Sequence, residues 1–86
     1  MTTEQKEKIN QAVDMLAKDE DIITFVNKVE SGIKTTKGNY GKYMQFLTNY
    51  AENNTMLYVV KEAIIKAGAD IEGVNAAIGI LKGSSL

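Results

Sequence analysis

The stretch Met56-Leu57-Tyr58-Val59-Val60-Lys61-Glu62-Ala63-Ile64-Ile65-Lys66-Ala67 has two competing readings. Its first five residues have the aromatic and β-branched composition of a strand. Leu57, Val60, Ala63, Ile64 and Ala67, however, recur at spacings of three and four, which places them on one stripe of a helix. Read through to its end, the segment predicts a helix. No better strand candidate remains, so an all-α fold follows.

The flanks supply the stops. Asn53-Asn54-Thr55 breaks the preceding pattern, with Thr55 in position to cap the helix, and Gly68 suits the left-handed residue that closes one. Asp70 then caps a further helix, Ile71 to Lys82, with Ile71, Val74, Ile78 and Leu81 on one face and Gly83 beyond its end. Upstream, Tyr40, Tyr43, Met44, Phe46, Leu47, Tyr50 and Ala51 share an arc of roughly 160° at 100° per residue, the clearest amphipathic element in the chain. Residues 32–39, Gly-Ile-Lys-Thr-Thr-Lys-Gly-Asn, hold two glycines and no sustained period, and predict a loop. Asp19-Glu20-Asp21 suits the positive start of a second helix bearing Ile22, Phe25, Val26 and Val29, which Ser31-Gly32 stops. The first helix opens on Thr2 and Gln5 at capping-box spacing and carries Ile9, Ala12, Val13 and Leu16, with Glu4–Lys8 and Asp14–Lys18 as outer pairs. The expectation is one compact bundle of five short helices across residues 1–86.

At 86 residues such a bundle has a marginal core. The chain contains no Cys, His, Trp, Pro or Arg, and all ten basic residues are Lys. Without Cys and His there is no disulfide, no zinc site of the usual kind, no thiolate nucleophile and no side chain that titrates unperturbed near neutrality. Without Arg there is no bidentate fork for phosphate or guanine. The charged amino-terminus shows no signal-peptide pattern, and the longest low-charge apolar run, Val74 to Leu81, is far short of the roughly 20 residues a membrane span requires. A soluble, cytoplasmic protein without metal or cofactor is expected.

Acidic clusters are the remaining device for general acid–base chemistry. Asp19, Glu20 and Asp21 are consecutive and point in different directions, and Asp70 and Glu72 open a helix, so both groups read as caps. Charge is uneven along the chain: residues 1–31 hold four Lys and seven acids, whereas residues 32–50 hold three Lys and no acid. Lys34, Lys37 and Lys42 are therefore the candidate anion-binding residues, although Thr36 and Tyr43 occupy the Gly and Ser/Thr positions that a phosphate-binding loop requires. Residues 55–82 imitate a helix-turn-helix, but the second helix offers only Asn75 as a base reader and sets Glu72 against the phosphates. Nucleic acid is not the expected partner.

Apolar residues off the main stripes carry the most information. Tyr58 and Ile65 lie one heptad apart on the side of their helix opposite the stripe, framed by Lys61 and Glu62, and Ile80 lies behind the apolar face of the last helix. Gly73, Ala76, Ala77 and Gly79 would let another backbone approach the last helix closely. Either these helices sit at the centre of the fold, covered on two sides, or they carry a contact surface. The functional expectation is a non-enzymatic adaptor, inhibitor or accessory protein that binds another protein or its own copy as a homodimer through Tyr58, Lys61, Glu62, Ile65 and Ile80. The alternative is weak nucleic-acid or anion binding through the Lys34 to Lys42 loop.

Overall fold

The computed structural model describes residues 2–32, 36–50 and 52–84, with side chains over 2–32, 41–50 and 52–82. Among the described residues the chain is all helix: α1 (Thr3–Ala17), α2 (Glu20–Gly32), α3 (Thr36–Thr48), α4 (Asn54–Lys66) and α5 (Ile71–Ser84), with no strand. The ambiguous stretch is α4, and it contacts all four other helices. Its Val60, Ala63 and Ile64 are fully buried, with Leu57 and Val59 nearly so. Around it gather Ile22, Val26 and Val29 of α2, Tyr43 and Leu47 of α3, and Val74 and Ala77 of α5. The most extensive helix pairings are α3 with α5 and α1 with α4. The molecule is only 19 Å across its thinnest dimension, about two helix layers.

Local chemistry explains the boundaries. Thr2 accepts from the Gln5 amide at 3.1 Å while the Gln5 side chain accepts from the Thr2 amide at 2.9 Å, a complete capping box. The Asp19 carboxylate accepts from the Asp21 and Ile22 amides at 2.9 and 3.3 Å, and that of Asp70 accepts from the Gly73 amide at 3.0 Å. Asn53, rather than Thr55, caps α4, its side chain accepting from the Met56 amide at 2.8 Å; Asn is the stronger cap of the two. At the other end Gly68 adopts φ +114°, and the Ala69 and Gly68 amides donate to the Ile64 and Ile65 carbonyls. This paired closure requires a residue that tolerates the left-handed region.

Three further expectations need correction. The backbone of residues 36–40 is helical, so the second half of the expected loop belongs to the first turns of α3. The glycines weaken a helix there, but extending one already anchored by buried Tyr43 and Leu47 costs far less than starting another. Ala12 is exposed, because α1 is an edge helix that buries only Val13. Ile71 is 57% exposed, since the buried surface of α5 begins at Gly73 and Val74, beyond the helix's first residue. The Asp14 carboxylate pairs with Lys66 of α4, linking the two helices, and the Lys66 ammonium holds it below the usual carboxylate range.

One polar group organises the core edge. Glu30 of α2 accepts from the Tyr43 hydroxyl and, at 2.8 Å, from the Asp70 amide, joining α2, α3 and the start of α5. Burial pushes the Tyr43 hydroxyl well above its ordinary titration range, and the hydrogen bond to Glu30 and the Glu30 charge push the same way. The neutral phenol is therefore favoured in the folded state. The stability it brings is intact below the unfolded tyrosine pKa of about 10 and is lost as pH rises beyond it. In urea denaturation, the stability difference between wild type and Tyr43→Phe should stay flat up to about pH 9 and then shrink as the wild type alone is penalised. A difference unchanged through pH 11 would contradict this.

Candidate protein-binding face

The second seam of α4 is divided between core and surface. Ile65 is half-buried and packs against the core, whereas Tyr58 remains 47% exposed. Lys61 projects its ammonium to 5.1 Å from the centre of the Tyr58 ring and lies 3.6 Å from the Glu62 carboxylate. The ring contact restrains Tyr58 by about 0.5 to 1 kcal/mol, while the half-buried Lys61–Glu62 pair, between neighbours in sequence, adds little.

Tyr58 stands among three depressions. One of about 370 Å³ lies against Lys6, Ile9 and Asn10 of α1. A second, of about 360 Å³, runs past Val13, Glu62, Ile65 and Lys66. A smaller third opens towards Ile78 and Lys82 of α5. An aromatic ridge bordered by hollows, with charges of both signs at the rim, can fill a hollow in another surface while a side chain of that surface fills one of its own.

Ile9 also borders a shallow apolar depression that carries Ala12, Met15, Met56 and Val59. Met15 is 76% exposed and Met56 is exposed as well. The sequence reading passed over both methionines, although Met15 adjoins the stripe of Ala12 and Leu16 and Met56 directly precedes the α4 stripe. Thioether side chains adapt to varied partners, so they extend the Tyr58 face across α1 in chemically compatible form.

The remaining candidates fall elsewhere. Ile80 is exposed but lies two residues, about 200° of helical rotation, from Ile78 at the Tyr58 depression, so it belongs to another face of α5. The side chains of Lys34 and Lys37 lie outside the described residues. Lys42 borders a groove between α2 and α3, remote in the chain from the Tyr58 seam. Of the small residues on α5, Gly73 and Ala77 are buried in the helix that α3 packs on most extensively, whereas Gly79 faces open space.

Among the described residues no cluster of three His, Cys, Asp or Glu is placed to hold a metal, and no helix is long and apolar enough to cross a membrane. The acidic residues Asp19 and Asp70 are engaged as helix caps. Comparison of the chain with protein-family models, curated proteins and solved structures yields no match.

Proposed function

We propose that this chain is a small non-enzymatic binding module that acts through the α1–α4 face, and that its partner is a second copy of itself. One observation carries the reading: Tyr58, nearly half exposed, borders three hollows, and the Lys61 ammonium lies 5.1 Å from its ring centre. In a two-fold contact the same patch serves both copies, so it must offer both a projection and a recess, and both signs of charge. Tyr58 with its neighbouring hollows, and Lys61 and Lys66 with Glu62, meet both requirements. Aromatic anchors of this kind dominate interface energetics.

Sedimentation equilibrium at roughly 50 μM, the range in which a micromolar contact is populated, checks it. Wild type should be dimeric, and Tyr58→Glu monomeric with an unchanged helical circular dichroism spectrum. The expected loss is at least about 30-fold in dimer affinity, corresponding to about 2 kcal/mol or more. A wild type that is monomeric at that concentration sinks the reading, and so does a variant that unfolds instead of dissociating.

A further inference from the structure

The groove between α2 and α3 is separate from the Tyr58 face and is built on a repeated spacing. Phe25, Lys28 and Val29 of α2, and Lys42, Gln45, Phe46 and Asn49 of α3, border about 560 Å³, within the usual range for small-molecule sites. The rings of Phe25 and Phe46 stack at 4.1 Å and 17°, and both remain partly accessible. Tyr43 packs edge-on against Phe25 from the core side at 5.9 Å, which fixes the aromatic floor from behind.

Charge is concentrated at one end of this floor. Phe25 meets Phe46, and Glu30 meets Tyr43, so residue numbers rise along α2 as they fall along α3. Starting from the stacked rings, Lys28 lies three residues along α2 and Lys42 four residues back along α3, in the same direction. At 1.5 Å per residue they sit about 4.5 and about 6 Å beyond the aromatic floor. No Asp or Glu borders the groove, and neither lysine has an ion pair among the described residues. Gln45 and Asn49 add amide donors one turn apart on the α3 wall.

We infer that this groove binds a small amphipathic carboxylate, a flat apolar ring system bearing one anionic group. The ring system packs against the stacked Phe25–Phe46 pair, and the carboxylate is held between Lys28 and Lys42. The ligand must have both parts. A simple anion leaves the aromatic floor wet, and a neutral ring system leaves two ammonium groups unanswered.

The test uses 2-naphthoate as the probe, followed by amide and side-chain chemical shifts of the full chain. Saturable shifts should centre on Phe25, Lys28, Lys42, Gln45 and Phe46, with submillimolar affinity for a ligand of this size. Acetate and the neutral analogue 2-naphthalenemethanol should each bind at least about tenfold more weakly. Lys28→Gln combined with Lys42→Gln, both exposed positions, should lose about the same factor while keeping the wild-type spectrum elsewhere. The inference is overturned by shifts centred on another face, equal binding of the neutral alcohol, or unchanged affinity in the double variant. Binding of an acidic peptide with no response to naphthoate also overturns it. Because the readout is local to α2 and α3, failure here is distinct from failure of the dimer contact at Tyr58.

Discussion

Leu47→Ala is expected to lower unfolding free energy by about 2 to 5 kcal/mol. Leu47 is fully buried, at the centre of the α3 arc, among core residues contributed by α2, α4 and α5. The removed methyl and methylene groups forfeit their transfer free energy, and the cavity left behind adds to it because surrounding helices relax only in part. A domain of this size holds roughly 0.05 to 0.15 kcal/mol of stability per residue, so the loss removes a large part of the total. In thermal unfolding each kcal/mol corresponds to about 4 to 8 °C for a chain this short. A decrease under about 1 kcal/mol would mean that the α3 arc is not the centre of the core.

The second large effect is expected at Glu30→Ala, by a different mechanism. The substitution removes the acceptor for the buried Tyr43 hydroxyl and the partly buried Asp70 amide together. A buried donor left without a partner costs about 1 to 3 kcal/mol, so a total loss of about 2 to 4 kcal/mol follows. Glu30→Gln retains an acceptor oxygen and should recover more than half of that, whereas Tyr43→Phe removes the donor together with its need and should cost about 1 kcal/mol. Urea denaturation of the three variants gives the ordering Glu30→Ala, then Glu30→Gln and Tyr43→Phe. If Glu30→Ala were no worse than Tyr43→Phe, the bond to the Asp70 amide would have no energetic weight.

Local pattern foretold a great deal of this fold. Spacings of three and four in residues 57–67 outweighed the strand-like start of α4, and the caps at Thr2, Asp19 and Asp70 and the closure at Gly68 involve partners within a few residues. Leu47 was legible for the same reason, as the middle of a well-defined arc. What depended on distant partners was hidden. Glu30 looks like an ordinary exposed carboxylate, because Tyr43 and Asp70 lie 13 and 40 residues away and no periodicity links the three. Ala12 and Ile71 show that a helical wheel identifies the inward face but not where the neighbouring helix stops covering it. The same limit applies to the binding candidates: Tyr58 and Ile65 occupy one face of α4, but the packing of the other helices leaves one exposed and sets the other half-buried against the core. Counting charge by segment grouped Lys42 with Lys34 and Lys37. Lys28, its neighbour across the α2–α3 groove, was lost in a segment dominated by acids.

The order of helix pairing also bears on how the chain is made. Helix α1 finds its main partner in α4 and α3 finds its own in α5, so the two pairings interleave along the chain. During vectorial synthesis α1 leaves the ribosome with its apolar side uncovered and stays so while residues 18–53 are added. When α4 arrives and could close that first pair, α3 still lacks α5. Neither pairing joins helices adjacent in the chain, so both depend on contacts between segments well apart in sequence, which form more slowly than those of consecutive hairpins. In a nascent chain of this topology Ile9 and Val13 wait for α4 until residues 54–66 have been made.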